Sequence, residues 1–445
     1  MAKKIDKLIK PEVSIFWFRR DLRLHDNTGL IEALKNSLSV LPVFIFDTTI
    51  LEKLPSKQDT RVSFIHSTLL HLQDELIKLG SSIQVIYGDP LSAFQKLHAQ
   101  YVLSSVYTNH DYEPEAILRD AGVLKFLNSK KIPFITCKDQ VVFEKSEITK
   151  QDGSPYTVFT PYSRVWKEKL NNQKFKLQGS TSLFQHFYKT KSIPIPSLKQ
   201  IGFTDLGVKY SPPIINKTII QNYEETRNIP SLEGTTKLSV HLRFGTISIR
   251  SLVNVALDLN EQWLNELIWR EFFMMILFHF PYVTQSCFKK KYNTIPWRNN
   301  EIEFKKWCEG NTGYPLVDAG MRELNETGFM HNRVRMVVAS FLTKHLLIDW
   351  RWGEAYFADN LLDYELSSNN GNWQWAAGCG CDAAPYFRIF NPSEQIKRFD
   401  PDLVYIKKWV KDLDEFSYPL PMVDHKAARE RALNVYKTAL SDSLM

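Results

Sequence analysis

The chain has 445 residues, of which 44% are hydrophobic and 24% are charged. This composition is typical of a globular protein and excludes a disordered or fibrous chain. The length exceeds that at which a single core usually stops growing, so we expect two domains. A formal net charge of +7 permits a polyanionic partner but does not require one.

The N-terminal segment and the cysteines indicate where the protein resides. Residues 1–10, MAKKIDKLIK, are charged and lack a continuous apolar region, and the sequence contains no apolar run long enough to span a bilayer. The five cysteines are scattered and odd in number, which argues against a disulfide framework and suits a reducing compartment. We therefore expect a cytoplasmic, soluble protein with no membrane partner.

The first third of the chain alternates β-branched apolar runs with amphipathic stretches. Residues 61–80 place Phe64, Leu69, Leu72 and Leu76 near helical spacing and end on a glycine suited to a helix C-cap. Strands separated by helices predict a parallel sheet. The sequence thus predicts a doubly wound α/β domain over residues 1–139, with strands at 13–18, 39–46, 82–88, 102–109 and 132–137.

The rest of the chain changes character twice. Residues 140–210 show no regular hydrophobic periodicity and are rich in polar residues with interspersed prolines, which predicts a long connector. Residues 211–445 show helical periodicity, with long helix-forming stretches at 260–280 and 317–350, the second interrupted at Gly328. The predicted fold class is therefore α/β: an N-terminal parallel-sheet domain, a connector and a C-terminal all-α domain.

Residues 369–392, NNGNWQWAAGCGCDAAPYFRIFNP, allow three interpretations. Gly378, Gly380 and Ala383 fit the dinucleotide fingerprint G-x-G-x-x-A. That fingerprint needs a strand before it and a helix after it, and Pro385 lies where the first helical turn belongs. A zinc site at the Cys-Gly-Cys step lacks a second pair of ligands nearby. We expect two buried, unligated thiols instead.

The third interpretation is an aromatic platform for a flat ligand. Glu266, Trp269, Arg270 and Phe273 share one face of a predicted helix at i, i+3, i+4 and i+7. By itself this face also fits a solvated ion pair. In the stretch MHNRVRMVVAS, Asn332 and Met336 are likewise four residues apart. Together with the tryptophans after residue 369, these segments predict a pocket for a flat, charged ligand.

The segments that carry these features resemble the DNA photolyase and cryptochrome family, and most closely its class I cyclobutane pyrimidine dimer photolyases. The resemblance runs essentially from end to end, in order and with near-constant spacing. It is carried by WFRRDLRLHDN (17–27), EGTTKLSVHLRFGTIS (233–248), NELIWREFF (265–273), GYPLVDAGMRELNETGFMHNRVRMVVASFLTKHLLIDWRWGE (313–354) and residues 369–392.

The resemblance implies a C-terminal domain that binds a U-shaped FAD. Arg335 and Asp363 are expected to form a buried pair, and Asn369 matches the residue beside flavin N5. An amide there favours the reduced anionic FADH⁻, since a carboxylate would repel its charge. Plant-type and insect-type cryptochromes carry Asp or Cys at this place, so Asn369 indicates repair. The implied FAD ligands are Tyr223, Thr235, Thr236, Leu238 and Ser239 at the phosphate and ribose, and Trp263, Arg270, Arg335, Asp363, Glu365 and Asn369 around the flavin.

The resemblance also implies a DNA-repair site. A flipped-out pyrimidine dimer would stack on Trp269 and Trp375 and hydrogen-bond Glu266. Met336 stands where (6-4) photolyases carry a catalytic histidine, which favours cyclobutane dimers. The complete set of implied residues comprises Glu266, Trp269, Asn332, Met336 and Trp375 in the dimer pocket, Trp373, Trp350 and Trp297 in an electron-transfer chain, and Arg227, Arg333 and Arg388 at the DNA backbone.

Three positions depart from the family pattern. Phe329 replaces a tryptophan that usually precedes the Met-His-Asn step, and Glu365 replaces a second aspartate near the flavin. Pro114 stands where folate-binding relatives use an asparagine, although Glu115 fits that pattern. The second, antenna chromophore is thus left open among methenyltetrahydrofolate, a deazaflavin, another flavin and none.

The function predicted from the sequence is light-driven repair of cyclobutane pyrimidine dimers in DNA by electron transfer from photoexcited FADH⁻. The protein would be a deoxyribodipyrimidine photo-lyase, act on UV-damaged DNA as a monomer and associate with the nucleoid when bound to DNA. The alternative is a cryptochrome-type blue-light photoreceptor that uses the same flavin for signalling. A DNA-binding module without a cofactor would leave the flavin-lining acids unexplained.

Overall fold

The computed structural model describes residues 10–172, 177 and 179–442. The chain forms two compact units. One comprises Met1–Val142, Phe175–Pro213 and Phe244–Leu252, and the other comprises Phe143–Lys174, Ile214–Arg243 and Val253–Met445. Within the described ranges, no helix combines the length and apolar character needed to cross a membrane.

The first unit is built on a parallel sheet of five strands in the order β3-β2-β1-β4-β5. All eight residues of β2 are buried, as expected for a central parallel strand covered on both faces. The strands are β1 (Glu12–Phe18), β2 (Val40–Asp47), β3 (Gln84–Gly88), β4 (Val102–Asn109) and β5 (Phe134–Cys137), and the helices between them are α1 (Thr28–Asn36), α2 (Thr48–Leu51), α3 (Thr60–Lys78), α4 (Pro90–Gln100) and α5 (Pro114–Ser129).

These elements confirm the predicted doubly wound sheet. Each predicted strand is present, with ends shifted by at most two residues. The predicted helix over 61–80 is α3, and Gly80 follows it with a φ of 70°. A left-handed residue just beyond a helix is most easily supplied by glycine, because it has no Cβ.

The second unit is mostly helical, which confirms the predicted class of the C-terminal part. The bounds of the remaining helices are α6 (Phe159–Asn172), α7 (Lys217–Gln221), α8 (Tyr223–Thr226), α9 (Ser239–Phe244), α10 (Ile249–Leu259), α11 (Glu261–His279), α12 (Glu301–Cys308), α13 (Pro315–Thr327), α14 (Asn332–Ser340), α15 (Trp350–Asn360), α16 (Leu366–Ala377), α17 (Pro392–Phe399), α18 (Val404–Trp409) and α19 (His425–Asp442). A π-helical turn, Phe341–His345, follows α14.

The compact units divide the chain differently from the predicted boundaries at 139/140 and 210/211. Helix α6 lies inside the predicted connector and packs on α11, where Phe159 stacks on Trp269 with ring centroids 3.7 Å apart. In the sheet unit, Arg250 pairs with Asp26 at 2.9 Å and with Asp139 at 2.8 Å. These buried ion pairs hold residues 244–252 in the sheet unit. In the sequence, these residues lie within the range 211–445, which was predicted to be helical.

Candidate active site

A cavity opens in the helical unit among α14, α15, α16 and the segment before α16, with about 620 Å³ of non-atom space that includes open solvent. Small-molecule and cofactor sites are concave pockets of this kind, with mostly apolar walls and a few polar groups. Its walls combine apolar side chains with a few polar groups. Eight of the residues predicted to bind cofactor, bind substrate or transfer electrons line it: Asn332, Arg335, Met336, Asp363, Glu365, Asn369, Trp373 and Trp375.

Helix α16 forms one wall of the cavity. Glu365 caps its N-terminus by accepting a hydrogen bond from Ser368 N at 3.1 Å and another from the Ser367 hydroxyl. Gly371 packs against the ring of Phe273 on α11, where a Cβ atom would overlap the ring. The cap and this close approach fix the side of α16 that faces the cavity.

The glycines after α16 end a helix. Gly378 is the C-cap of α16 with φ 85°, and its N–H donates to the last turn. No strand precedes this step and no phosphate-binding helix follows it within the described chain. The structure therefore agrees with the rejection of the dinucleotide fingerprint. Cys379 and Cys381 are buried, as expected, with 1% and 4% of their surfaces exposed.

Arg335 and Asp363 form the predicted pair beside the cavity. Arg335 Nη2 lies 3.0 Å from Asp363 Oδ2, and its Nε donates to the Met330 carbonyl at 2.7 Å. The Asp363 side chain is 5% exposed and that of Arg335 is 25% exposed. The backbone contact and the carboxylate together hold the guanidinium in one orientation at the cavity wall.

Asn369 is held by a residue that sequence reasoning missed. Its Nδ2 donates to the carbonyl oxygen of Glu354 at 3.0 Å and to Glu354 Oε1 at 2.9 Å. Burial raises the pKa of Glu354, and the hydrogen bond from Asn369 opposes that shift. Because the amide nitrogen points to Glu354, Oδ1 is left as the acceptor available to the cavity. No spacing in the sequence relates residues 354 and 369, since the contact arises from packing of α15 on α16.

Trp373 lies deep in the wall. Its ring covers Gly353, where a Cβ atom would overlap it. Its edge contacts Phe357 at 5.0 Å and Trp307 at 6.1 Å between centroids. Trp350 is 1% exposed, whereas Trp297 is half-buried. The three tryptophans predicted to transfer electrons thus belong to, or pack on, one hydrophobic core.

The predicted dimer residues on α11 lie outside the lining of this cavity. Glu266 forms an ion pair with Arg227, a residue predicted to face DNA, and accepts a hydrogen bond from Gln262 at 3.1 Å. Trp269 has one face covered by Phe159, with the ring planes 5° apart. Glu266 is therefore already paired with a cation in the absence of substrate.

The predicted phosphate and ribose ligands of FAD lie before α11 and also outside that lining. Arg227 lies over the ring of Tyr223, 5.7 Å from its centroid. Leu238 is buried, Thr235 and Thr236 are half-buried, and Ser239 is exposed at the start of α9. Two predicted flavin ligands on α11 also lie outside the lining. Trp263 is buried, and Arg270 Nη2 donates to the Leu242 carbonyl at 3.5 Å. Their roles toward FAD stay predictions.

The three arginines predicted to face DNA lie close enough together for their positive charges to interact. Burial lowers the pKa of Arg333 first, and the positive charges of Arg227, Arg398 and Arg388 lower it further. Arg333 donates to Asn228 Oδ1 at 2.6 Å and lies 4.4 Å from the Phe399 ring centroid. Arg398 was not anticipated, because nothing in its local sequence separates it from an ordinary surface charge. A cluster of like charges of this kind favours a polyanionic partner.

The positions that depart from the family pattern take up ordinary structural contacts. Arg335 lies over the Phe329 ring, 5.6 Å from its centroid, and Glu365 caps α16. In the sheet unit, Pro114 begins α5 and Glu115 forms an exposed ion pair with Lys53 at 2.9 Å. The antenna assignment stays open.

The sequence and the structure match one family of proteins. Residues 14–179 match the family described as DNA photolyase, and residues 263–417 match the FAD binding domain of DNA photolyase. The deoxyribodipyrimidine photo-lyase of Halobacterium salinarum is 34% identical over 483 residues, which cover 97% of this chain and 100% of that protein.

Two solved structures share the fold over nearly their whole length. A bacterial class III photolyase from Agrobacterium tumefaciens matches with a TM-score of 0.83 and 31% identity, covering 98% of this chain and 99% of that one. An archaeal photolyase from Sulfolobus tokodaii, solved with two FAD molecules, matches with a TM-score of 0.80 and 34% identity, covering 96% and 100%. The narrower resemblance to class I stays a prediction. With both parts of the chain matched, the protein belongs to the DNA photolyase family.

Proposed function

We propose that this protein repairs cyclobutane pyrimidine dimers in DNA with light. Curated relatives that match over nearly the full length of both chains assign it to the enzymes, as a deoxyribodipyrimidine photo-lyase. The observation that carries the finer proposal is the shared cavity: Arg335, Asp363 and Asn369 of the predicted flavin site line the same space as Met336 and Trp375 of the predicted dimer site. A cofactor and a flipped base in one cavity would lie close enough for direct electron transfer.

The residues of the cavity fit FAD. A flat ring system with an amide edge needs apolar walls and a few fixed donors and acceptors. Ala339, Phe357 and Leu361 supply apolar surface. The Arg335–Asp363 pair supplies a donor and an acceptor whose orientation is fixed by the Met330 carbonyl. We infer that Arg335, Asp363 and Asn369 hold the flavin ring.

Bound FAD, in its reduced form, supplies an electron when it absorbs blue light. The task of the protein is to position that cofactor and to set the charge around it. Asn369 presents a neutral amide at the cavity wall, and its Oδ1 stays available as an acceptor because its Nδ2 is occupied by Glu354. A neutral amide at this position, unlike a carboxylate, places no negative charge beside the negatively charged flavin ring. Glu354 acts through Asn369 and is a positioning residue.

The dimer pocket would combine stacking with a hydrogen bond to the pyrimidine edge. Trp375 lines the cavity, and contacts with Phe159 and Phe273 fix the orientation of the Trp269 ring. Stacking of a base on an aromatic ring contributes about 1 to 3 kcal/mol. Glu266 would bind the pyrimidine edge after Arg227 turns from the carboxylate to a DNA phosphate. The ion pair would therefore break as the complex forms.

Electron supply and DNA binding complete the proposal. Trp373, Trp350 and Trp297 would pass electrons from the surface toward the cavity, because their rings pack in or on one core. Arg333 and Arg388, with Arg227 and Arg398, would hold the phosphates on either side of the flipped dimer. Phosphate contacts of this kind position a protein on DNA without reading its sequence.

The proposal is tested with a duplex oligonucleotide that carries one cyclobutane thymine dimer. Under blue light, the reduced protein should restore two thymines, and the same mixture in the dark should not. Trp375→Ala should lose repair while retaining flavin, whereas Trp409→Phe, on α18, serves as a control that keeps both. Flavin binding without repair of any dimer would contradict the proposal and favour a light-sensing role.

A further inference from the structure

A basic segment contains the outermost tryptophan of the proposed electron-transfer chain. Residues 281–300, PYVTQSCFKKKYNTIPWRNN, include four lysines and arginines and no aspartate or glutamate. Lys290 and Lys291 are exposed, and Trp297 of the same segment is half-buried. None of the roles proposed above uses these lysines.

Trp297 is the member of the chain that a partner in solution can reach. Trp373 is 2% exposed and Trp350 is 1% exposed, whereas Trp297 is half-buried and follows the exposed Pro296. The ring of Trp297 meets that of Tyr436 on α19 edge-on, with centroids 6.0 Å apart. Of the three tryptophans, Trp297 is therefore the one at which an electron from solution enters.

The fold holds the lysines close to Trp297. Tyr292 and Trp297 both pack against the ring of Tyr436, with centroids 6.3 Å and 6.0 Å from it. Lys291 Nζ lies 5.9 Å from the centroid of the Tyr292 ring. The hydroxyl of Thr294 donates to a backbone carbonyl of α19 at 3.2 Å. The segment is thus fixed on α19, with two aromatic rings between the ammonium group and the indole.

The charges of the lysines are not compensated. Arg298, the fourth cation of the segment, pairs with Glu303 at 2.8 Å. In the part of the chain that the structure describes, the three lysines at 289–291 have no carboxylate partner. Lys290 Nζ lies 5.4 Å from the centroid of the Tyr282 ring, which is 37% exposed. Exposed lysines with an aromatic ring among them suit an acidic protein surface.

We propose that residues 281–300 and the adjoining face of α19 dock an acidic one-electron carrier protein that returns an electron to oxidised Trp297. The inference rests on the proposed function, because light-driven electron transfer toward bound FAD is what oxidises the chain. One electron passes from the reduced flavin or iron–sulfur centre of the carrier to the indole radical. The carrier is oxidised, Trp297 is restored, and a radical that has lost its proton regains one from water.

Electron transfer at this surface needs only a brief encounter. Weak redox complexes bury less than about 1,200 Å² in total, and charge complementarity raises the rate of association more than the affinity. Salt screens the attraction beyond about 8 Å at physiological ionic strength. The rate of electron return should therefore be high at low salt, fall as salt is added and depend on the lysines.

The direct test follows the recovery of oxidised Trp297 by transient absorption after a blue flash. The full chain with bound oxidised FAD is mixed with a reduced plant-type ferredoxin, an acidic iron–sulfur protein. The double variant Lys290→Glu/Lys291→Glu should lower the second-order rate constant at least about 10-fold at low salt. Lys130→Glu/Lys131→Glu, which changes two exposed lysines after α5, alters the net charge equally and should keep the rate. An unchanged rate in the first double variant would overturn the proposal.

Two further measurements separate docking from simple reactivity. A carbodiimide joins carboxylates to amines in contact with them, and with oxidised ferredoxin it should link the peptides that contain Lys290 and Lys291, whether or not flavin is bound. A basic carrier, cytochrome c, and a neutral reductant, dithiothreitol, should restore Trp297 at rates that the first double variant does not lower. Cross-links spread evenly over the exposed lysines of the chain would contradict the proposal.

The failure of the docking surface and that of the proposed function give different results. A chain that binds no flavin, or that forms no tryptophan radical after the flash, contradicts the electron path and with it the task of the carrier. A chain whose radical forms, but recovers equally fast with ferredoxin in both double variants, contradicts only the docking surface. If Lys290→Glu/Lys291→Glu weakens binding to duplex DNA and keeps the ferredoxin rate, the lysines belong to the DNA interface and the proposal is wrong.

Discussion

The substitution Asp363→Asn removes one charge from the wall of the cavity and keeps the shape of the side chain. The carboxylate accepts from Arg335 Nη2 at 3.2 Å and 3.0 Å. Breaking a fully buried pair costs about 3 to 5 kcal/mol, and an exposed pair is worth about 0.2 to 1 kcal/mol. Because the Arg335 side chain is 25% exposed and that of Asp363 is 5% exposed, we expect a loss of about 2 kcal/mol in the free energy of unfolding.

The assay is urea denaturation of the flavin-free protein, followed by titration with FAD. Arg335→Met and the double variant complete a double-mutant cycle, which isolates the pair from other losses. Loss of a hydrogen bond to a charged group should weaken FAD binding by about 1.5 to 3 kcal/mol, or roughly 10-fold to 150-fold. Additive single losses of less than about 0.5 kcal/mol, with unchanged FAD affinity, would refute the structural and the cofactor role together.

Four further predictions concern other parts of the molecule. Trp373→Phe should abolish photoreduction of oxidised flavin and leave repair by chemically reduced protein nearly intact, as measured by absorption and by oligonucleotide repair; normal photoreduction would exclude this chain. Arg333→Ala should weaken binding to damaged and intact DNA alike and reduce the slope of log affinity against log salt by about 1; an unchanged slope would make it an ordinary surface charge. Glu266→Ala should lower repair per absorbed photon while flavin stays bound, and a yield equal to that of the unsubstituted protein would remove the carboxylate from the site. Burial lowers the pKa of His345 to about 3 from 6.5, so below pH 6.5 the unfolded chain binds a proton that the folded chain does not. The free energy of unfolding should therefore fall by up to about 1.4 kcal/mol per pH unit between pH 6.5 and 3. His345→Phe should flatten the pH dependence of urea unfolding, and an equally steep dependence would contradict the assignment.

The five strands of the sheet could be predicted from the sequence, with ends shifted by at most two residues. Its strands are continuous apolar runs bounded by turn residues, and such runs are typical of buried parallel strands. Helix α6 was missed because three of its buried residues, Tyr162, Trp166 and Leu170, are separated by polar and charged residues. The ion pairs of Arg250 that place residues 244–252 with the sheet could not be predicted, because they join positions more than a hundred residues apart.

The site was predicted unevenly for the same reason. Three residues that were identified from the family motifs line one cavity: Met336, Asn369 and Trp375. Glu354 and Arg398 could not be identified, because each acts through a contact between separate helices. The ion pair of Arg227 with Glu266 could not be predicted either. The family motifs indicate which residues contact the ligand, and they do not indicate which residues pair with each other before it binds.

The most direct test of the central claim is the yield of dimer repair per absorbed blue photon, measured on the flavin-bound, reduced protein with a thymine-dimer duplex. We predict that the dimer disappears in proportion to the light absorbed, with two intact thymines formed for each dimer lost and no consumption of reductant. A protein that binds flavin and absorbs the light, yet leaves the dimer unchanged, would contradict the account.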